Sequence, residues 1–340
     1  MHHIITHMDS DGHASAAVYY HYLTRELKVP AANIQVHPIN YGMPFPEDIQ
    51  SRSTDSITIL DFSFEPVGIM KDLYGIYGDR LVWIDHHDTV VKMLETEPIL
   101  NKIPGIRRTR STCSPGCTEL IAACELTWEY CFGPLARQCP PCIHDVGSWD
   151  TWRWAKQPEE EREVIQNFVQ GLDVLSTSMF TEEGRDWWSR VLSAHRLDTA
   201  AVVNELLRPV FSAGEVVRKY QAKRWYSEVK NRAFEAKFLQ YNVLMINSVG
   251  PSTMFDGFFD PSKHDFMVVY HDVRGAQLKV SLYAGNPESN IHLGELAKVL
   301  GHLNGYSSGG GHKGAAGFQT SLVTLCSMYS MTGPAVPLDK

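Results

Sequence analysis

The chain has 340 residues, of which 44% are hydrophobic and 21% are charged, as in an ordinary globular protein. At roughly 150 residues per domain, that length predicts about two domains. The 31 basic and 39 acidic residues give a net charge of −8, which argues against a protein that coats long nucleic acid. No apolar run approaches the ~18 residues that a membrane span needs.

The first residues, Met-His-His-Ile-Ile-Thr-His, have neither the cationic nor the apolar region of a secretory signal peptide. The seven cysteines are an odd number, which fits a reducing compartment better than a framework of disulfides. We therefore expect a cytoplasmic protein that has no membrane segment.

The first third of the chain alternates short β-type runs with helical stretches. The runs lie at 3–6, 33–38, 56–60 and 80–84, and the first helix is expected over 14–27. Runs of this length that are separated by helices predict βαβ units and a parallel sheet.

The rest of the chain changes character twice. From about 157 to 234 the pattern is helical and charged, with one internal proline, Pro209, and it predicts helices that link two domains. Strand patterns then return at 241–247, 266–271 and 278–283, and a helix is expected over 293–300 before a glycine-rich loop at 307–317. We expect a second, smaller domain here.

Acidic residues and histidines follow the predicted strands of the first third. They are His7, Asp9 and Asp11 after the first run, Asp61 after the third, and Asp85, His86 and His87 after the fourth, with Asp145 and Asp150 further along. In open α/β sheets the ligand crevice lies at the carboxyl ends of the strands. Each of these residues alone could be an ordinary turn residue. Together, the carboxylates and imidazoles suit two divalent ions better than a thiolate zinc site.

These motifs resemble those of the DHH phosphoesterase superfamily. The resemblance rests on His7-x-Asp9-x-Asp11-Gly12, on Asp61 in Ile-Leu-Asp-Phe, and on Ile-Asp85-His86-His87. The stretch 309–318 is similar to the glycine-rich motif of the DHHA1 domain, and Trp-Asp150-Thr-Trp-Arg-Trp is similar to the fourth motif of NrnB-type oligoribonucleases. Within the superfamily, the chain is therefore closest in pattern to the NrnB-type, pGpG-degrading branch.

The resemblance implies an α/β protein in which a parallel-sheet DHH domain is joined by helices to a smaller α/β DHHA1 domain. We place the DHH catalytic domain at 1–185, the helical linker at 186–235 and the DHHA1 substrate-binding domain at 236–340.

The resemblance also implies a ligand set for two divalent cations, for which we expect Mn²⁺, with Mg²⁺ as the alternative. His7, Asp9 and Asp61 would bind one ion, and Asp11, Asp61, His86 and a fourth-motif aspartate would bind the other, with Asp61 as the bridge. Asp150 matches the fourth motif. Asp145 is the alternative, because Asp145-Val-Gly-Ser-Trp is similar to the pattern of relatives that cleave cyclic dinucleotides. Asp85 would orient a ligand, and His87 would contact the scissile phosphate.

The glycine-rich stretch is expected to bind substrate. Gly309, Gly310 and Gly311 would let the backbone approach a phosphate, and His312 and Lys313 would add donors and positive charge. Tyr283 stands where the NrnB-type pattern has an arginine, so that base stacking would replace a charged contact. Arg274 either supplies the missing charge or is an ordinary hairpin arginine.

Two further patterns have competing interpretations. Cys113, Cys117, Cys139 and Cys142 have a spacing that fits a four-thiolate zinc site, but unligated cysteines explain it as well. Trp149, Trp152 and Trp154 are expected in the core rather than as platforms for bases.

The function implied is a metal-dependent phosphodiesterase or exoribonuclease that hydrolyses very short oligoribonucleotides, linear dinucleotides such as pGpG among them, to nucleoside 5′-monophosphates. Attack would come from a hydroxide that bridges the two ions. The alternatives are a cyclic dinucleotide phosphodiesterase, a pAp phosphatase and a non-catalytic nucleotide sensor. The expected partner is the short RNA or dinucleotide itself, with no long nucleic acid and no membrane, and a homodimer is left open.

Overall fold

In the computed structural model, the chain divides into two units, Met1–Arg218 and Lys219–Lys340. The structure describes residues 1–40, 43–47, 49, 54–87, 89–108, 121–133, 139–175, 177–196, 200–274, 277–286, 289–303, 309–311 and 313–337, with the backbone alone at 89, 195–196, 200–203 and 274. The division lies within the predicted linker, 186–235. Within the described ranges, no helix has the length and apolar character that crossing a membrane requires.

The first unit is built on a parallel sheet, whose described strands have the order β2-β1-β3-β4. They are β1 (His2–His7), β2 (Ile34–Ile39), β3 (Ser56–Leu60) and β4 (Leu81–Ile84). Successive side chains enter different hydrophobic clusters, Ile4 on one face and Ile5 on the other, so both faces are covered. This sheet confirms the four predicted strands and the predicted α/β class.

Helices surround this sheet. Those described are α1 (Ser10–His21), α2 (Gly68–Tyr77), α3 (Thr89–Thr96), α4 (Ala123–Phe132), α5 (Pro141–Asp150), α6 (Glu159–Val174), α7 (Glu182–Arg196) and α8 (Ala200–Arg232). Helix α1 continues into a π-helical turn over Tyr22–Glu26. The division between the two units falls inside α8, which contains Pro209.

Gly12 brings helix α1 unusually close to strand β1. A Cβ atom at this position would lie 2.2 Å from the carbonyl oxygen of His7, so no larger residue fits without a shift of the backbone. The Thr6 hydroxyl donates to the carbonyl of Gly12 at 2.6 Å, and the Gly12 amide donates to Oδ1 of Asp9 at 2.9 Å. The end of β1 and the first turn of α1 are thereby fixed to each other.

The second unit contains a mixed sheet, whose described strands have the order β11-β5-β6-β7-β8-β10-β9. They are β5 (Phe234–Phe238), β6 (Tyr241–Asn247), β7 (Phe266–Arg274), β8 (Gln277–Tyr283), β9 (Gly309–Gly311), β10 (Ala315–Ser321) and β11 (Tyr329–Pro334). The described helices are α9 (Leu293–Leu303) and α10 (Leu322–Met328). The sequence predicted β6, β7, β8 and α9.

The glycine-rich stretch, expected as a loop, is partly strand. Gly309, Gly310 and Gly311 pair antiparallel with β10 as the edge strand of the sheet. Gly311 has a φ of +134°, and a Cβ atom there would lie 2.6 Å from the carbonyl oxygen of Ala315. Only glycine accommodates this pairing, and because glycine is depleted in strands, the sequence pattern did not indicate one.

Candidate metal centre

The predicted ligands of the first unit lie at the carboxyl ends of three adjacent strands. His7 is the last residue of β1, Asp61 directly follows β3, and Asp85 directly follows β4. Because these strands are parallel, their carboxyl ends share one edge of the sheet. Asp11 lies in the first turn of α1, and Asp150 is the last residue of α5.

Among the described residues, three overlapping groups have the residue types and spacing to hold a metal ion. The groups are Asp61 with His86 and His87, His7 with Asp9 and Asp61, and Asp11 with His86 and Asp150, and within each group the ligand atoms lie within 4.8 Å of one another. Asp61 belongs to two of these groups, and so does His86. Shared membership is what two neighbouring ions with a bridging carboxylate require.

Asp61 is the central carboxylate of this arrangement, and its side chain is only 1% exposed. Its Oδ2 atom lies 3.6 Å from Nδ1 of His7, and its Oδ1 atom lies 3.4 Å from Nε2 of His86. Neither oxygen has a hydrogen-bond partner within the described part of the chain. Since a buried carboxylate without donors is costly, these two oxygens fit cations that would lie beside them.

The backbone of Asp61 supports the same interpretation. Its φ of +55° is left-handed, which for a residue other than glycine costs on the order of 1 kcal/mol or more. The Asp61 amide donates to the carbonyl of Ile84 at 2.9 Å, which ties this turn to the neighbouring strand. The surrounding structure therefore holds the carboxylate in place against a local conformational cost.

His7 is held by two carboxylates. Its Nδ1 atom lies 2.7 Å from Oδ2 of Asp9, in addition to its contact with Asp61. Burial alone would lower the pKa of His7, but attraction to the carboxylates of Asp61 and Asp9 outweighs burial and raises the pKa to about 11. A protonated His7 therefore contributes one positive charge to the group that it forms with Asp9 and Asp61. A metal ligand must be a neutral imidazole, so an ion would displace that proton.

Asp11 is positioned by a helix that the sequence analysis did not predict. Its two carboxylate oxygens accept hydrogen bonds from the amides of Ala123 and Cys124, each at 2.8 Å, at the N-terminus of α4. Free amides and the helix dipole favour a negative charge there. Burial, followed by repulsion from Asp61 and Asp150, nevertheless raises the pKa of Asp11 well above its usual value. No local sequence pattern near 123 indicates this contact.

Asp85 belongs to none of the three ligand groups but contacts His87, which belongs to one of them. Its Oδ1 accepts from Nδ1 of His87 at 2.7 Å and from the His87 amide at 3.0 Å, and its Oδ2 accepts from the Ser63 hydroxyl at 2.5 Å. Burial would lower the pKa of His87, but the charge of Asp85 raises it to about 9. The charge of Asp85 therefore favours the protonated form of His87. Asp85 fixes its ring, and Ser63 in turn fixes Asp85.

The two candidates for the fourth-motif aspartate lie on different sides of α5. Nε2 of His86 lies 3.3 Å from Oδ2 of Asp150. Five positions along a helix correspond to about 140° of rotation, which turns Asp145 away from the face of Asp150. Asp145 belongs to no metal-binding group among the described residues. The geometry therefore favours Asp150 over Asp145 as the ligand.

Exchange of each aspartate for asparagine is expected to separate the two roles. Asp150→Asn should weaken Mn²⁺ binding by at least about tenfold, because it removes the carboxylate next to His86. Asp145→Asn should leave Mn²⁺ affinity close to that of the wild type, since Asp145 lies outside the ligand groups. Isothermal titration calorimetry measures both affinities, and weaker binding in the Asp145 variant alone would assign the ligand role to Asp145.

Asp145→Asn is also expected to stabilise the protein in a pH-dependent way. Burial raises the pKa of Asp145 from its ordinary 3.8 to about 6. The ionised form therefore destabilises the fold at high pH, and the cost is absent below pH 4 and complete above pH 6. The variant should gain about 2 kcal/mol in the free energy of unfolding at pH 8 and almost nothing at pH 4. Urea unfolding of the variant and the wild type at both pH values measures this difference in the free energy of unfolding.

One ion-pair network around the buried Glu125 connects α4, whose amides hold Asp11 in place, with the segment that carries Asp150. The carboxylate of Glu125, in the first turn of α4, accepts from Nη2 of Arg153 at 2.6 Å, from Nδ1 of His144 at 2.8 Å and from the Ala122 amide at 3.1 Å. A Cβ atom at Gly147 would lie 2.7 Å from this carboxylate, so glycine leaves the room for it. Burial would raise the pKa of Glu125, but His144 and Arg153 outweigh burial and lower it. Sequence reasoning missed this network entirely.

The predicted substrate-binding residues of the second unit other than Arg274 lie toward one end of its sheet, whereas Arg274 ends β7 at the opposite end, where it pairs with Gln277. Tyr283 ends β8 and pairs with Ala315, the first residue of β10, while Gly311 ends β9 on the other side of β10. The Tyr283 hydroxyl donates to the carbonyl of Gly250 at 3.4 Å. Lys313 lies between β9 and β10. His312 is outside the described residues, as is the side chain of Arg274.

Two of the four cysteines that were predicted to bind zinc are among the described residues. Cys113 and Cys117 lie outside the described residues. Cys139 and Cys142 lie at the start of α5, where burial raises the pKa of both thiols. Within the described ranges, neither belongs to a group that could hold a metal ion. The zinc site stays a prediction.

Comparisons with known proteins bear on the fold. No protein-family model matches the chain, and neither does any curated protein. Solved structures do match. A DHH-domain protein described as a member of the s1p family of ribosomal proteins has a TM-score of 0.61 at 14% identity, with 96% of this chain and 85% of that chain covered.

Two further solved structures match less well. The pGpG-specific phosphodiesterase PggH from Vibrio cholerae has a TM-score of 0.49 at 13% identity, and 96% of both chains is covered. RecJ in complex with Mn²⁺ from Thermus thermophilus has a TM-score of 0.48 at 14% identity, with 96% of this chain and 50% of that chain covered. The likeness to the DHH-domain protein confirms what the motifs and the parallel sheet indicate, namely that this chain has the fold of the DHH-domain proteins.

Proposed function

We propose that the protein is a metal-dependent phosphodiesterase that hydrolyses very short oligoribonucleotides, linear dinucleotides such as pGpG among them, to nucleoside 5′-monophosphates. The observation that supports this most is the position of Asp61, a buried carboxylate that two ligand groups share. A shared carboxylate between imidazoles is suited to two-metal phosphoester hydrolysis. The mixture of oxygen and nitrogen donors, without thiolates, favours Mn²⁺ or Mg²⁺.

The ligand sets follow from the groups described above. His7, Asp9 and Asp61 would hold one ion, and Asp11, Asp61, His86 and Asp150 would hold the other. When bound, such ions lower the pKa of a water molecule and neutralise the charge that develops on the phosphate. The amides at the start of α4 would hold the carboxylate of Asp11 in position while this carboxylate binds the ion.

The protein's own contribution to the reaction includes a cationic donor. The charge of Asp85 raises the pKa of His87, and Asp85 engages its Nδ1 atom, so a protonated ring would carry its second proton on Nε2. That N–H group can donate to a phosphate oxygen as negative charge develops in the transition state. Asp85 would act here as a positioning residue, since it fixes the ring and holds the proton on it.

Overall charge supports the choice of a short substrate. The net charge of −8 disfavours tracking along a polyanion, because such binding needs many cationic contacts to phosphates. One or two phosphates can be accommodated at a metal centre without such a track. We therefore propose a dinucleotide or very short RNA rather than a long strand.

A time course of products in the presence of Mn²⁺ would test this proposal. The substrates are 5′-phosphorylated dinucleotides, a longer RNA, a long single-stranded DNA, a cyclic dinucleotide and pAp, and identically purified Asp61→Asn protein controls for contaminating nucleases. We expect the linear dinucleotides to disappear first and to yield mononucleotides. Faster consumption of the cyclic dinucleotide or of pAp would assign one of those activities instead. Processive cleavage of the long DNA would contradict the short-substrate proposal.

A further inference from the structure

Trp152 does not lie in the core, contrary to the expectation for the three neighbouring tryptophans. Trp154 is buried and Trp149 is partly buried, but Trp152 is 48% exposed. The rings of Trp149 and Trp154 stack with their centroids 5.0 Å apart, and the Trp152 ring lies 6.1 Å from that of Trp154 at an angle of 36°. Trp152 therefore lies beside the stacked pair of Trp149 and Trp154, and about half of its own surface is exposed to solvent.

The backbone at Trp152 is in an unfavourable conformation for its side chain. Its φ of +61° and ψ of +14° are left-handed, a region that residues with bulky side chains rarely adopt. Strained conformations of this kind persist where the surrounding structure imposes them, and they cluster at functional sites. Glycine or asparagine would fit this turn with less strain, so the presence of a tryptophan calls for a physical explanation.

The turn that carries Trp152 is fixed on both sides. The Thr151 hydroxyl donates to the carbonyl of Gly147 at 2.6 Å, and Nε of Arg153 donates to the Thr151 hydroxyl at 2.9 Å. Arg153 is held in turn by the buried carboxylate of Glu125. The exposure of Trp152 is therefore not that of a loose loop. The network fixes the backbone that carries the ring, which lowers the entropic cost of binding to it.

Trp152 is also close in sequence to Asp150, a candidate ligand of the metal centre. Asp150 belongs to the ligand group with Asp11 and His86, and Trp152 follows it by two residues. Two residues of chain separate their Cα atoms by at most about 7.6 Å. A base that is joined through its ribose to a phosphate at the centre lies within a comparable range. Exposed aromatic rings are the usual partners of unpaired bases, because every base has a face that can stack.

We propose that Trp152 is a stacking platform for a nucleobase of the substrate. This inference rests on the proposed function, and it assigns recognition of the base, as distinct from the phosphate, to the first unit. Stacking tolerates all four bases. The platform would therefore raise affinity for nucleotides as a class, and it would do so without taking part in the bond cleavage.

Steady-state kinetics on the full-length protein with Mn²⁺ would test the platform. Trp152→Ala and Trp152→Gly should raise KM for pGpG about tenfold or more, while Trp152→Phe, which keeps an aromatic face, should recover most of the loss. Because glycine suits a left-handed φ, the Gly variant is expected to fold even if the Ala variant does not. We also expect the wild type to have a lower KM for pGpG than for an analogue that lacks the bases. This difference in KM should be smaller in the Ala and Gly variants.

Tyr130→Ala is the matched control. Tyr130 is 38% exposed on α4, six residues beyond Cys124, which places it about 9 Å along the helix axis from the end that binds Asp11. Its removal should leave KM for pGpG at the wild-type value. An equal rise in KM for Tyr130→Ala and Trp152→Ala would mean that the loss reflects a general effect of aromatic truncation, and it would overturn the platform.

A binding measurement separates this inference from the proposed function. A phosphorothioate dinucleotide that contains 2-aminopurine should lose fluorescence on binding to the wild type, and Trp152→Gly should abolish most of that quenching. Quenching that depends on Trp152, without hydrolysis of any dinucleotide, would refute the proposed function and leave the platform standing. Hydrolysis of dinucleotides with the same KM and the same quenching in both proteins would refute the platform alone.

Discussion

Replacing Asp61 by asparagine is expected to lower turnover of the preferred substrate by at least about a thousandfold, the largest loss of activity that we expect from a single substitution. The variant keeps the size of the side chain but removes the charge that both ligand groups share. Because each group would then lose its central oxygen donor, the variant should also bind Mn²⁺ more weakly. Initial rates and calorimetric titration with Mn²⁺ measure the two losses separately.

Asp72→Asn is the control for this substitution. Asp72 is an exposed aspartate on α2, outside all three ligand groups, so the variant should keep wild-type turnover and metal affinity. If the wild type binds nucleotides but turns none of them over, and Asp61→Asn merely weakens that binding, the protein is a sensor rather than an enzyme. Full turnover by Asp61→Asn would contradict the two-metal arrangement itself.

Replacing Glu125 by alanine is expected to lower the free energy of unfolding by about 3–5 kcal/mol. The substitution leaves Arg153 beside a vacated, buried position and removes the acceptor of the Ala122 amide. The folded pKa of Glu125 is lowered, so its contribution is present above the ordinary value of 4.5 and is lost as the pH falls through the lower, folded value. Urea unfolding of both proteins at pH 7 measures the difference, which should shrink at pH 3.

Glu129→Ala provides the matched comparison on the same helix. Glu129 forms a two-pronged ion pair with Arg108, but both side chains are partly exposed, so its loss should cost under about 1 kcal/mol. If both variants lost the same free energy of unfolding, burial would not explain a difference between the Glu125–Arg153 pair and the Glu129–Arg108 pair. Mn²⁺ affinity should fall in Glu125→Ala and stay unchanged in Glu129→Ala, because Glu125, unlike Glu129, links the start of α4, which holds Asp11, to the segment around Asp150.

The candidate ligands of the metal centre could be named from the sequence because their positions follow from local patterns. Each of three β-type runs of the first unit is followed by acidic residues or histidines, and a parallel sheet brings the ends of such runs together. His7, Asp61 and His86 could be proposed on that basis before any contact was known. The motif favoured Asp150 and left Asp145 as the alternative, and the sequence could not decide between them because that depends on which face of α5 packs inward.

The features that were missed depend on contacts between distant parts of the chain. The amides that hold Asp11 come from α4, and the partners of Glu125 come from α5 and the turn beyond it. Neither leaves a periodic pattern in the sequence. Strand β9 was missed because three glycines favour no regular element by themselves and pair only because β10 is beside them. The exposure of Trp152 was missed because tryptophan composition alone suggests a core.

The carboxylates at the edge of the parallel sheet imply that stability and function oppose each other in the first unit. Burial raises the pKa of Asp11 and Asp150, and repulsion from Asp61 adds to both shifts, so these two carboxylates work against folding when they are ionised and no cation is bound. A divalent ion that binds only the folded state would offset this by mass action. The free energy of unfolding would then rise with the concentration of the cation, and removal of the cation would expose the chain to unfolding and proteolysis.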